Sequence, residues 1–360
     1  MKRTLSFIKK EFYHIFRDKR TMLIVIAMPI VQIILFGFAI STEVNNINFA
    51  VITPIHNEST RQLIEKIKAN EYFTFSGYIN DQQEIDDAFR KGKTDIILQF
   101  QEKFETQGKT PKVQIIVDAS DPNTATIETM YLSNIINDFI SKGNSGNIKS
   151  TTQLLYNPQM KSAYNFVPGI MGLILMLVCA MMTSISIVRE KEVGTMEVLL
   201  VSPTKPLAII LTKMIPYFIL SCANLLTILL LSVYVLHLPI TGSIFWLIAL
   251  SLIYITLALS FGLFISTVME TQVAAMLCAI MMLLFPTILL SGMMYPIENL
   301  PLPLQWLSTI IPARWYISGV KKLMIMGLPV EYIFKELVIL ISMTVIMITI
   351  SVRKFKNRLE

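Results

Sequence analysis

Five charges fall within nine residues at Arg189, Glu190, Lys191, Glu192 and Glu197, between two long apolar runs. Carboxylates beside cations raise acid–base chemistry first, which requires groups converging on a substrate proton. A short charged helix wedged between two membrane spans is a poor place for that and a good mechanical lever. Val198-Leu199-Leu200-Val201 turns the segment amphipathic, and Ser202-Pro203 stops it. The acids cannot enter lipid cheaply. The apolar residues would lie against the membrane or a partner's groove, and Gly194 permits a bend or a close approach.

Other reactive constellations are missing from the chain. No G-x-x-x-x-G-K-[ST] phosphate loop occurs; Lys93-Thr94 follows Gly92, but Asp87 stands where the first glycine should be. No H-E-x-x-H, C-x-x-C or G-x-S-x-G is present, and His14, His56 and His237 are scattered. Cys179, Cys222 and Cys278 lie in apolar runs as packed thiols. Ion-coupled transporters place ionisable residues at membrane depth. Here Gln32, Asn224 and His237 are the notable polar residues of the apolar runs, and Lys213, near a run's end, is expected to snorkel. Energy for any transport must therefore come from outside the chain. Asn57-Glu58-Ser59 matches a glycosylation sequon by chance, since Ser59 serves better as a helix cap.

The elements around this lever follow from composition. The 360 residues are 53% hydrophobic and 16% charged, against about one-quarter charged in soluble domains. Crossing the hydrocarbon core takes about 20 apolar residues. The pattern predicts an α-helical membrane protein with six transmembrane helices, the first at 21–42 and five more at about 166–188, 207–236, 244–268, 272–293 and 332–352. Residues 1–20 read as a basic amphipathic arm on the membrane face. Residues 43–161 read as a small α/β extracytoplasmic domain between the first and second spans. Its strands are expected at 48–53, 72–78, 95–99 and 112–117, and its helices at 59–69, 81–90 and 121–140, with Ser59 and Asp81 as caps. Residues 142–153 form a linker. Residues 294–331, rich in proline, form an outer re-entrant loop with a short helix over 313–326.

Lys and Arg set the orientation. Both termini are basic, so both are placed in the cytoplasm together with the lever, and the insert is placed outside. The insert holds 12 Lys/Arg against 15 Asp/Glu, a net of −3 that leaves +9 on the rest of a chain totalling +6. Arg314, Lys321 and Lys322 fall on the assigned outer side, against the trend. The basic residues are juxtamembrane, which suits anionic lipid and not nucleic acid.

The run R-E-K-E-x-G-T-x-E-x-L-L-x-S-P resembles the signature after the second span of ABC type-2 exporter permeases. Lys10-Glu11-Phe12 with Arg17-Asp18-Lys19-Arg20, and Ser291-Gly292 through Ile311-Pro312, resemble the family's arm and last outer loop. The resemblance implies a non-enzymatic membrane subunit of an ATP-driven exporter in the bacterial inner membrane. Two such subunits, identical or paired with a sister chain, would work with separate ABC ATPase subunits that bind the ATP and Mg; this chain would hold no cofactor and no metal. Arg189, Glu190, Glu192, Gly194, Thr195, Glu197 and Pro203 would form the coupling helix. The arm, with Glu11, Arg17 and Asp18, would lie beside it. Apolar, Met-rich spans suit a lipophilic or amphiphilic cargo, and the outer domain would gate the exit or dock a periplasmic partner. The rival reading is a membrane scaffold or sensor whose outer domain binds a ligand without transport.

Overall fold

The computed structural model describes residues 8–13, 17, 19–39, 46–53, 57–79, 82–100, 113–118, 122–143, 163–195 and 206–357. The chain divides into two compact units, Met1–Ile40 with Lys161–Glu360, and Ser41–Met160. In chain order come helix α1 (Lys19–Ala39), β1 (Ile47–Ile52), α2 (Glu58–Lys68), β2 (Phe73–Tyr78), α3 (Gln82–Arg90), β3 (Ile96–Phe100), β4 (Val113–Val117) and α4 (Pro122–Gly143). Then follow α5 (Ala163–Glu192), α6 (Pro206–Tyr234), α7 (Ile244–Val268), α8 (Gln272–Leu290), α9 (Leu302–Ser308), α10 (Pro312–Val320) and α11 (Phe334–Asn357).

In the smaller unit the sheet order is β2-β1-β3-β4, with β1 parallel to β2 and β3, and β4 antiparallel to β3. Side chains alternate along a strand. Phe49 and Val51 of β1 and Ile96 and Leu98 of β3 therefore share one face, which buries Leu63 and Ile67 of α2 and Leu132 and Ile136 of α4. Ala50 and Ile97 point the other way and meet Ile85 of α3. Cover on both faces explains why these strands read as continuous apolar runs. The N-cap of α2 is Asn57, whose side chain accepts the Thr60 amide at 2.9 Å, and not Ser59, which lies inside the first turn. Asparagine one residue earlier satisfies the same orphan donor. The cap expected at Asp81 lies outside the described residues.

In the larger unit, five helices among the described residues are long and apolar enough to span a membrane; α1 carries a shorter apolar run, Val25–Phe36. At its centre, α5 packs most extensively against α7 and also touches α1, α6, α8 and α10. Small residues let the backbones approach. A Cβ on Gly262 of α7 would lie 2.3 Å from the Ala180 carbonyl oxygen. Tyr254 of α7 stacks on Tyr316 of α10, with ring centroids 4.1 Å apart, and the Tyr254 hydroxyl donates to the Gly172 carbonyl at 2.9 Å. Tyr316 bonds the Ser251 hydroxyl at 2.9 Å. These contacts key α10 to the centre of the bundle.

Three differences from the expected helix limits and turns bear on the site. First, α5 does not end at 188: it runs through Arg189–Glu192 and closes at Val193-Gly194, where Gly194 has φ +76° and its amide bonds the Lys191 carbonyl. Arg, Glu and Lys are good helix formers, so nothing stops the helix before the glycine, which caps it in the left-handed conformation. Second, α8 contains a π turn at Ile280–Leu284 just before Pro286, and ends at Leu290. Third, the outer helix expected over 313–326 is α10 followed by a second π turn, Lys321–Ile325. The chain reverses between α6 and α7 at His237, which sits at φ 52°.

Candidate functional site

Thirty residues of α-helix span about 45 Å, so α5 (Ala163–Glu192) is longer than the about 30 Å of a hydrocarbon core, and its charged end is the part least suited to lipid. Successive residues turn about 100° around a helix. Glu190, Lys191 and Glu192 therefore leave on different sides, and each meets a different neighbour.

Glu190 Oε1 accepts from Lys213 Nζ of α6 at 2.6 Å, and the same ammonium reaches Glu11 Oε1 of the arm at 3.2 Å. Glu11 and Lys213 are each 6% exposed. Lys191 Nζ donates to the Ser266 and Met269 carbonyls at the C-terminus of α7, the end where a cation complements the helix dipole. Glu192 Oε2 accepts from Gln272 Nε2 at 2.6 Å and faces the Gln272 amide at 3.4 Å, at the N-terminus of α8, where an anion is favoured. One helical turn thus ties the arm, α6, α7 and α8 together.

Buried charges persist only when paired and hydrogen-bonded. One lysine serves two carboxylates here, and Glu190 Oε2 is buried with no partner among the described residues. The head groups are engaged with one another and shut from solvent. This geometry joins helices.

Of the predicted residues, Glu11, Glu190 and Glu192 enter this junction. Gly194 caps α5, and the Thr195 hydroxyl donates to the Glu190 carbonyl at 3.3 Å. Arg189 and Arg17 are exposed. Asp18, Glu197 and Pro203 lie outside the described residues, as does the chain from Met196 to Lys205. Among the described residues, the arm's acid Glu11 meets Lys213 of α6, and through that shared ammonium it is joined to Glu190 of α5. Lys213 was missed: it does not snorkel but is buried between two carboxylates. A cation within an otherwise uncharged run is itself a signal of a buried partner.

A family model described as ABC-2 family transporter protein matches residues 19–353. The chain is 28% identical to the probable multidrug ABC transporter permease YbhS of Escherichia coli K12, over 100% of this chain and 98% of that one. It is 28% identical to the probable multidrug ABC transporter permease YbhR of the same strain, over 93% of each. ABC transporter G family member 20 of Dictyostelium discoideum matches at 23% over 96% of this chain but 49% of its own length. With a family match across the spanning helices, and a helix junction where a catalytic centre would otherwise be sought, the chain belongs to the ABC-2 transporter family as a membrane permease component.

Proposed function

We propose that this permease is the membrane half of an ATP-driven exporter, moved by separate ATPase subunits that press on residues 189–203. The observation that carries this reading is the junction at the end of α5. A push on the segment that follows Gly194 is felt at once by the arm, α6, α7 and α8, because Glu190 holds α6 and, through Lys213, the arm, while Lys191 holds α7 and Glu192 holds α8. In this reading α1 is a sixth span, both termini and the junction face the cytoplasm of a bacterial inner membrane, and unit Ser41–Met160 lies outside. Two permease chains would enclose the path, and the partner ATPases would bind the ATP and Mg. Relatives named as multidrug permeases and apolar spans support a lipophilic or amphiphilic cargo.

The test is ATP-dependent uptake of a panel of fluorescent amphiphiles into inverted vesicles holding the permease and its ATPases. Glu190→Lys places a second cation beside Lys213 and should abolish uptake by the permease that is inserted in the membrane. Glu197→Lys is expected to do the same. Wild-type uptake from a correctly inserted Glu190→Lys permease would refute the reading.

A further inference from the structure

At the other end of α5, about 37 Å from the junction by helix rise, lies a cavity of about 260 Å³. Its polar wall is Asn165 of α5, Ser291 and Glu298 after α8, and Arg314, Ser318 and Lys321 along α10 and its π turn. Residues 314, 318 and 321 fall at helical spacing, i, i+4, i+7, so one stripe of the outer hairpin faces the cavity. These include two of the three cations that the charge pattern had left unexplained.

The charge balance is uneven. Lys322, the third cation, is neutralised by Glu336 at 2.7 Å, a carboxylate that also accepts from Ser318 at 3.0 Å. The other two have no carboxylate within ion-pair distance among the described residues. Lys321 Nζ donates to Asn165 Oδ1 and, at 3.4 Å, to the Gly292 carbonyl. Arg314 Nη1 donates to the Gln305 carbonyl at 3.1 Å and to Ser308 Oγ, while its guanidinium lies 5.0 Å over the Trp315 ring. Every bond that Arg314 makes among the described residues leaves from Nη1, so the rest of its five-donor fork is uncommitted. Glu298, the one acid of the wall, is exposed, where solvent screens it. Ser291 is 2% exposed, and its hydroxyl is buried in the wall without a hydrogen-bond partner among the described residues. Buried hydroxyls are nearly always satisfied, so this one marks a missing group.

Burial pulls the Lys321 ammonium below the ordinary lysine range, with Glu298 partly opposing. A desolvated cation held only by neutral dipoles gains most from an anion.

From the cavity, its two cations without an ion-pair partner among the described residues and its unsatisfied hydroxyl, we infer that this pocket binds a phosphate oxyanion, as a lipid phosphodiester headgroup or as free phosphate. The volume admits a headgroup and excludes a whole amphiphile, so any acyl chains would extend outside it. The inference does not depend on transport. A permease that fails the uptake assay but binds phosphate leaves it standing, and the converse result separates the two equally well.

The test uses the full-length permease in an uncharged maltoside detergent. Three probes are titrated by calorimetry and by thermal shift: short-chain phosphatidylglycerol, the matching diacylglycerol that lacks phosphate, and inorganic phosphate. Phosphatidylglycerol should bind at least about ten-fold tighter than diacylglycerol, the worth of one charge-assisted hydrogen bond. Lys321→Met and Arg314→Gln should each remove about ten-fold of that preference, and Lys321→Arg should keep it. Lys321→Met should leave the melting temperature of the ligand-free protein unchanged or raised, since it removes a desolvated charge. Its lost ligand response then cannot be put down to misfolding. Inorganic phosphate binding as tightly as phosphatidylglycerol would assign the site to the free ion. Equal binding of phosphatidylglycerol and diacylglycerol, or variants that bind like wild type, would overturn the inference.

Discussion

Replacing Lys213 by Met tests the junction at its centre. The ammonium lies 2.6 Å from Glu190 and 3.2 Å from Glu11, and the three side chains are at most 15% exposed. An exposed pair would be worth about 0–1 kcal/mol. Removing one partner of a buried pair costs about 3–5 kcal/mol, because the remaining charge is stranded, and here two carboxylates are stranded together. Met fills nearly the same volume, so packing loss adds little. The assay is equilibrium unfolding in mixed micelles, run as a double-mutant cycle. Lys213→Met alone should lose about 3 kcal/mol or more. Glu190→Gln with Lys213→Met should recover part of it, giving a coupling of about 1–3 kcal/mol. A single-variant cost under about 1 kcal/mol, or additivity within about 0.5 kcal/mol, would refute the argument from burial.

Two more outcomes follow from the geometry. Gly262→Ala should lower the melting temperature, since its Cβ would sit 2.3 Å from the Ala180 carbonyl and 2.8 Å from Thr183 Cβ; overpacking of this kind costs about 1–3 kcal/mol, and a wild-type melt in the same detergent would mean that α5 and α7 do not touch there. Phosphatidylglycerol binding should weaken as pH rises toward 10.5, beginning below that ordinary lysine value because the Lys321 pKa is lowered. The depressed pKa means the free pocket bears the cost of the ammonium throughout neutral pH, and a bound anion relieves it until the proton leaves. The cavity's other charged groups are Arg314, which keeps its proton, and Glu298. Calorimetry from pH 7 to 10 should show the decline in wild type and a flat profile in Lys321→Met.

Much of the fold was legible because its signals are local. Apolar runs and their breaks place α7 at 244–268, as the structure has it, and alternation places the four strands within a residue or two. The errors arose where a local rule had two solutions or a distant partner decided. Asn57 and Ser59 are both good caps, and only the backbone shows which is used. Arg189–Glu192 read as a new element because its charge changes, yet charge does not end a helix and Gly194 does. Lys213 read as a snorkelling residue because Glu11 lies 202 positions away; its place in an uncharged run signals a partner but not which one. Arg314, Lys321 and Lys322 run against the charge trend of the sequence for the same reason. Their meaning lies in which acids they fail to meet, a property of the folded hairpin.

The π turn in α8 has a consequence for the surface of that helix. Val273, Leu277, Met281, Phe285 and Leu289 are all exposed, at a strict four-residue spacing. In an uninterrupted α-helix each four-residue step overshoots a full turn by about 40°, so five such residues would wind nearly halfway round the helix. The wider turn at Ile280–Leu284 absorbs an extra residue and draws the series back toward a straight ridge. Deleting one residue within it would remove the bulge and keep the phase, whereas straightening the turn at constant residue count would swing Phe285 and Leu289 about 100° away from Val273 and Leu277. The alignment of that exposed ridge is therefore a matter of how the backbone winds at one turn, invisible to any scale of hydrophobicity.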